Sequence, residues 1–318
     1  MSVKRKVLVT GADGFIGSIV CRQLTEAGYH VVAATRNSFS RLPNCQMVAV
    51  GSVGPDTDWS GALGGVSSVV HLVGVTHSTY KDSKDISSLC HTVNALGTFN
   101  LAKQSSSANV TNFVFVSTIK VNGEKTIDFQ DQMTGLRDPD PKDRYSISKY
   151  QAEKFLESVG GMSRVILRPP LVFGPGQKGN LDLLCRALLR GIPLPLSGID
   201  NRRSFIYVEN LGKAVVAALS RDTKKCEIFT IADTTISTTN LVRSLAKNLH
   251  VPARLFYIPK PILVFAAACF GRRGMASRVL DSLAVDSTEA RRILKWDPKF
   301  SFNEGLLKTG KWYLDERG

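Results

Sequence analysis

The sequence has no cysteine pair at CxxC spacing, no run of five or more like charges, no internal repeat and no apolar stretch longer than ten residues. Each absence excludes something. Without CxxC, the cysteines at 21, 45, 90, 185, 226 and 269 indicate neither a zinc site nor a redox pair. They read as small buried hydrophobes in a reducing compartment. The formal charge of +14 comes from scattered Lys and Arg, so nucleic acid is not indicated as a partner. The longest apolar run, ILVFAAACFG at 262–271, follows Pro261. It is about half the length a membrane span needs, so a core helix is expected there rather than a membrane-surface anchor. The opening MSVKRKVLVTG passes from a few charges straight into a strand, so no signal peptide is expected. The cytoplasm is the expected location.

What is present is an alternation. Short apolar runs at 5–10, 30–35, 46–50, 68–73, 111–117 and 163–168 are separated by helical segments at 15–27, 58–65, 85–107 and 143–159. Continuous apolar strands between helices predict an α/β fold with a doubly wound parallel sheet covered on both faces. After 168 the rhythm changes to Pro- and Gly-rich turns, a helix at 181–190, a strand at 204–208, a helix at 209–220, another strand at 227–232 and a mainly helical tail. The expected division is a dinucleotide-binding domain at 1–168 with returning segments at about 204–232. A smaller, mainly helical substrate lobe takes 169–203 and 233–318.

Two local patterns carry chemistry. In VLVTGADGFIGSIV, a strand ends at Thr10 and a helix starts near Phe15, with Gly11, Gly14 and Gly17 between them and just inside. Bare backbone before a helix N-terminus suits a pyrophosphate, because the first N–H groups of the helix are unpaired and carry partial positive charge. Gly11 permits the turn, Gly14 the approach of phosphate and Gly17 close helix packing. Further on, DRYSISKYQAEKFL places Tyr145 and Lys149 one helical turn apart on one face. A phenol near an ammonium can move a proton to or from an alcohol oxygen. The strand before it ends in Ser117 and Thr118, at the strand end where open α/β sheets bind ligands. His71 reads as a satisfied core residue inside its strand. Trp59 and Trp296 read as packing residues, and Glu209 and Asn210 as a helix start.

Together, TGADGFIG (10–17), HLVG (71–74), VNALGTFNL (93–101), FVSTIKVNG (115–123), YSISK (145–149), RPPLVFGPG (168–176) and RRSFIYVENL (202–211) carry a resemblance that covers nearly the whole chain. The sequence resembles an extended short-chain dehydrogenase/reductase of the NAD-dependent epimerase/dehydratase family, the group of UDP-galactose 4-epimerase. The segment RPPLVFGPGQKGN…GIPLPL…NRRSFIYVENL is most similar to bacterial enzymes that reduce UDP-4-keto-6-deoxy-N-acetylhexosamines for surface polysaccharide.

The resemblance implies roles. Tyr145 is the expected acid/base; Lys149 holds the nicotinamide ribose and lowers the Tyr145 pKa; Thr118 is the catalytic hydroxyl, with Ser117 beside it. Gly11, Gly14, Phe15, Ile16, Gly17, Arg36, Val53, Leu72, Val73, Gly74, Asn94, Ser117, Tyr145, Lys149, Pro169, Pro170 and Leu171 line the cofactor, and Thr118 also meets the substrate. His77, Asn180, Leu196 and Arg203 meet a UDP-sugar, Asn180 and Arg203 at its diphosphate. Ser52 stands where relatives often carry an Asp near adenine. The helices 85–107 and 143–159 are the expected homodimer surface. Counting eighteen from Gly17, as in the epimerases, reaches Thr35 and then Arg36. The carboxylate that would accept the NAD ribose is missing there, and a guanidinium able to pair a 2′-phosphate stands next to the position. NADP(H) is therefore the expected cofactor, with NAD(H) the alternative. The expected activity is NADPH-dependent reduction of a UDP-4-keto sugar. A UDP-sugar 4-epimerase with tightly held NAD is the alternative, and a non-catalytic dinucleotide-binding regulator the distant one.

Overall fold

The computed structural model describes residues 5–37, 42–76, 85–127, 132–135, 137–223, 225–271 and 273–317. Its strands are β1 (Lys6–Thr10), β2 (His30–Thr35), β3 (Cys45–Ala49), β4 (Ser68–His71), β5 (Asn112–Val116), β6 (Ser163–Arg168), β7 (Leu171–Phe173), β8 (Leu194–Ser197), β9 (Arg203–Tyr207), β10 (Cys226–Thr230), β11 (Thr234–Ile236) and β12 (Leu255–Tyr257). Seven of them form one sheet in the order β10-β6-β5-β4-β1-β2-β3. All its neighbours are parallel. The chain reverses direction across the sheet between β1 and β4, and that opens a crevice at their carboxyl ends.

The helices are α1 (Phe15–Glu26), α2 (Ser60–Leu63), α3 (Ile86–Cys90), α4 (Gly97–Ser107), α5 (Arg144–Ser158), α6 (Asn180–Leu189), α7 (Val208–Leu219), α8 (Thr238–Asn248), α9 (Lys260–Cys269), α10 (Arg273–Leu280), α11 (Thr288–Leu294) and α12 (Phe302–Arg317). Strands apolar on both faces need cover on both. On one face Val7, Val9, Val114 and Leu167 pack with Val20 and Leu24 of α1 and Leu211, Ala214 and Ala218 of α7. On the other, Leu8, Val69, Phe113 and Ile166 pack with Leu101 of α4 and Leu156 of α5. Trp59 and Trp296 are fully buried, one in each cluster.

The segment 204–232 divides. β10 returns to the large sheet, whereas β9 pairs with β7 and β11 in a separate three-stranded sheet. A second core forms there from Phe173, Leu181, Phe205, Tyr207, Leu241 and Tyr313. Asn210, in the first turn of α7, ties the two parts together. Its amide donates to Asp233 and to Phe300 O and accepts from Phe300 N–H. The predicted helix 58–65 shrinks to α2, because Gly64 and Gly65 stop it. The predicted helix 85–107 runs unbroken but contains a π segment, His91–Leu96. The predicted core helix at 262–271 is a correction: α9 forms, but none of its residues is buried.

Candidate active site

At the end of β1, Gly11 has φ +64°, a conformation that costs a side-chain residue and not glycine. Gly14 N–H donates back to Gly11 O at 3.0 Å and closes the turn. Gly14 is also the N-cap of α1 and brings no side-chain cap, and no acidic residue sits in the first turn. The N-cap residue therefore brings no side chain to the first N–H groups of the helix, those of Phe15, Ile16 and Gly17 among them. Gly17 is needed for another reason: a Cβ there would stand 2.1 Å from Gly11 O. It packs on the loop itself rather than on the sheet.

The loop faces the residues after β4. A Cβ on Gly11 would lie 3.3 Å from Val73 Cγ2, and one on Gly74 would lie 3.3 Å from Lys149 Nζ. Leu72 N–H donates to Thr10 Oγ1. Asn94, inside the π segment, is fully buried. Its Oδ1 accepts from Val75 N–H at 2.7 Å, and its Nδ2 donates to Val75 O and Ser148 Oγ. It thus ties the crevice wall to α5. A π turn shifts the helix register by one residue, and here that shift delivers Asn94 to the crevice.

Lys149 is buried. Its Nζ donates to Val116 O at 3.0 Å and Val73 O at 3.3 Å, the carboxyl ends of β5 and β4, and lies 4.4 Å from the centre of the Phe115 ring. Burial lowers its pKa to about 7, against the opposing pull of Glu153. Tyr145 stands one turn earlier and is partly covered. Burial, then the Asp143 carboxylate and Cys90, push its phenol above the ordinary range. This corrects the expectation that Lys149 lowers it. In the protein alone the Lys149 ammonium is directed to backbone carbonyls and is not among the groups acting on the phenol.

Thr118 starts a short 3-10 turn, Ile119–Asn122, and its Oγ1 accepts from Lys120 N–H. Lys120 bridges Glu124 and Asp143, the N-cap of α5. The turn carrying Thr118 is thereby clamped to the helix start carrying Tyr145. Burial raises the Asp143 carboxyl, but Lys120 and the Ser146 N–H outweigh it and hold it below its ordinary value. Ser117 separates from Thr118. Its hydroxyl donates to Glu153, which is paired with Arg168 in a buried bridge. Arg168 also donates to Asn122 Oδ1. Glu153 and Arg168 escaped the sequence reading; the available signals were an acid one turn after Lys149 and an arginine ending an apolar strand. Ile119 N–H donates to Pro169 O, which brings Pro169 and Pro170 to the same edge, with Leu171 exposed beyond them.

His71 is a core residue, as expected, and burial takes its pKa to about 3. Its Nδ1 contacts Thr10 Oγ1 at 2.6 Å and its Nε2 Thr98 Oγ1 at 2.9 Å. Thr98 spends its proton on Asn94 O, so Nε2 carries the imidazole hydrogen and Nδ1 accepts from Thr10.

Around this centre the remaining candidates scatter. Arg36 is exposed just past β2, where Thr35 Oγ1 donates to Asn37 O. Val53 is buried, packed on Gly97 of α4. Asn180 is exposed at the first residue of α6. Leu196 lies in an apolar groove with Leu263 and Leu280. Arg203 opens β9 and donates to Asp281 O at 2.9 Å. Burial brings its pKa down to about 10, Asp281 raising and Arg278 further lowering it, so it stays cationic at neutral pH. Arg278 is a second guanidinium beside Arg203 that the sequence reading missed. His77 lies outside the described residues.

The profile of the NAD dependent epimerase/dehydratase family matches residues 7–232. A UDP-glucose 4-epimerase of Vibrio cholerae is 32% identical over 98% of this chain and 96% of its own. An Escherichia coli O157:H7 N-acetyl-alpha-D-glucosaminyl-diphospho-ditrans,octacis-undecaprenol 4-epimerase is 24% identical over 83% of this chain and 78% of its own. The solved structure of MoeE5 in complex with UDP-glucuronic acid and NAD shares the fold, with a TM-score of 0.77 at 24% identity over 98% of this chain and 99% of that one. The glycine turn, the crevice between β1 and β4 and a match that spans most of the chain lead to one conclusion: the chain belongs to the NAD-dependent epimerase/dehydratase family of extended short-chain dehydrogenases/reductases.

Proposed function

We propose that the protein interconverts C4 epimers of a UDP-sugar with bound NAD, Tyr145, Lys149 and Thr118 doing the work at the sugar. What supports this reading most is that Lys149 Nζ meets the carboxyl ends of β5 and β4, that Thr118 follows β5, and that the Lys120–Asp143 bridge ties the Thr118 turn to the helix start that carries Tyr145. The 32%-identical relative of nearly equal length favours epimerisation over net reduction. The cofactor fits the residues present: the N-terminus of α1 has no side-chain cap, and Gly11 and Gly14 leave its approach free of side chains. When bound, NAD supplies the hydride acceptor and donor at C4. Tyr145 would act from its phenolate form, which the Lys149 ammonium would favour over the raised phenol of the protein alone. It takes the proton of the C4 hydroxyl as the alcohol is oxidised and returns it when the ketone is reduced. Thr118 hydrogen-bonds the same oxygen, and Lys149, ionised in part near neutrality, reaches the ribose from the crevice floor. Arg203 and Arg278, by their planar forks, and Asn180 would hold the diphosphate, with Leu196 the apolar contact on the substrate side. A homodimer through α4 and α5 accords with Ile147, 41% exposed on α5.

One observation favours a second reading. β2 ends in Thr35 followed by exposed Arg36, with no carboxylate for an NAD ribose. That suits NADPH and reduction of a UDP-4-keto-6-deoxy-N-acetylhexosamine. The experiment follows UDP-glucose and UDP-N-acetylglucosamine by proton NMR with purified protein and no added cofactor. Appearance of the 4-epimer establishes the first reading. NADPH oxidation that depends on the 4-keto sugar, with no epimerisation, replaces it by the second.

A further inference from the structure

α9 is a helix of KPILVFAAAC with no buried residue. Phe265 is 71% exposed and Ile262 56%, and Phe270, just past the helix, is 79% exposed. The preceding strand β12 adds Tyr257 at 67% and Phe256 at 45%. An apolar surface this dense on one segment is what folded chains normally cover. On its inner side α9 faces α10 across an open groove of about 540 Å³, lined by Leu196, Leu263, Ala267, Phe270, Val279 and Leu280. Along the chain the flanking charge is mostly of one sign, with Asp281, paired with Lys260, and Asp200, beside Tyr257, the acids next to the patch. Between Asp233 and Asp281 the chain carries Arg243, Lys247, Arg254, Lys260, Arg272, Arg273 and Arg278, and no Asp or Glu.

We propose that α9 and the end of β12 dock the protein on an anionic phospholipid surface, the helix lying in the interface plane. At ten residues the helix cannot span a bilayer. Among the described residues no helix is long and apolar enough to cross one. A short apolar helix between basic flanks has the composition of an interfacial element, its aromatics in the headgroup boundary and its cations at lipid phosphates. A second copy of this chain is the weaker occupant: a two-fold contact through this face would set two acid-free basic segments against each other. The docking face adjoins the sugar site, because Leu280 of the groove precedes Asp281, whose carbonyl takes the Arg203 hydrogen bond.

The test is co-sedimentation of the intact chain, without sugar or cofactor, with vesicles of two parts phosphatidylcholine to one part phosphatidylglycerol, and with phosphatidylcholine alone. Wild type is expected to pellet with the anionic vesicles and to be released by raised salt. Phe265→Ser/Phe270→Ser is expected to lower binding about tenfold or more. Its unchanged thermal melt shows that it folds. A wild type that ignores anionic vesicles, or a folded double variant that binds them as well as wild type, overturns the proposal. A dimer that the double variant dissolves, with no vesicle binding, also overturns it and assigns the face to a second copy. The readout uses no sugar chemistry, so its failure is separable from failure of the epimerase reading.

Discussion

Tyr145 is the second residue of α5 and keeps its proton in the protein alone, because burial and the Asp143 carboxylate both disfavour the phenolate. Tyr145→Phe retains the ring and removes the transferable proton. Turnover is expected to fall by about 10²–10⁴-fold, with UDP-sugar affinity little changed; more than half the wild-type rate would reject the role. Arg203 answers to a different measurement. A diphosphate contact exists in ground and transition states alike, so Arg203→Ala is expected to raise KM and leave kcat largely intact. A charge-assisted hydrogen bond of about 1.5–3 kcal/mol corresponds to roughly ten- to 150-fold. An unchanged KM would place Arg203 elsewhere, held by Asp281 for the fold alone. Position was readable for both residues from their motifs. What the motifs did not contain was the environment: the turning of Lys149 toward Val116 and Val73 is set by strand ends far away in sequence.

The strand–turn–helix β1–α1 shows how an element divides its glycines. A Cβ at Gly17 would meet backbone, Gly11 O at 2.1 Å, whereas one at Gly14 would stand 3.1 Å from the same oxygen. Gly17→Ala is therefore expected to cost about 1–3 kcal/mol through overpacking and to weaken cofactor retention with it. Gly14→Ala is expected to melt near wild type while losing cofactor, since its Cβ enters the phosphate approach. Equal melting temperatures for the two cofactor-free variants would remove the distinction. Elements of this kind were legible because apolar runs bounded by glycine leave few alternatives. The π segment was not: a helix containing one extra residue per turn keeps nearly the same apolar spacing, and only Asn94, buried with three side-chain hydrogen bonds, betrays it. α9 was misread for a related reason. A helix apolar on every side has the composition of a core helix, and composition carries no information about what the rest of the chain leaves uncovered.

On the scale of the whole molecule, the carboxyl edge of the large sheet buries two bases whose hydrogen bonds go to hydroxyls and backbone carbonyls. His71 links β1, β4 and α4 through Thr10 and Thr98, and its pKa is lowered from 6.5 to about 3. Lys149 links β4, β5 and α5 and is lowered from 10.5 to about 7. Both shifts have the same sign. Between its folded and unfolded pKa each group binds more protons in the unfolded chain, so stability rises with pH across that window. For His71 the contribution is complete above pH 6.5 and is lost as pH falls from there toward 3. For Lys149 the unfavourable burial of the ammonium eases from pH 7 up to 10.5. Acidification should therefore unfold the cofactor-free protein from neutrality downward. Between pH 6.5 and pH 5 the His71 share is about 2 kcal/mol, at 1.36 kcal/mol per unit. His71→Gln, which keeps an amide near Thr98 and removes the titrating ring, is expected to lower stability at pH 7 but to flatten its fall between pH 6.5 and pH 5. Urea unfolding of both proteins across that range measures the difference. Parallel curves would mean that the imidazole becomes protonated inside the fold, and that the Thr10–His71–Thr98 chain opens to water at the crevice before the sheet unfolds.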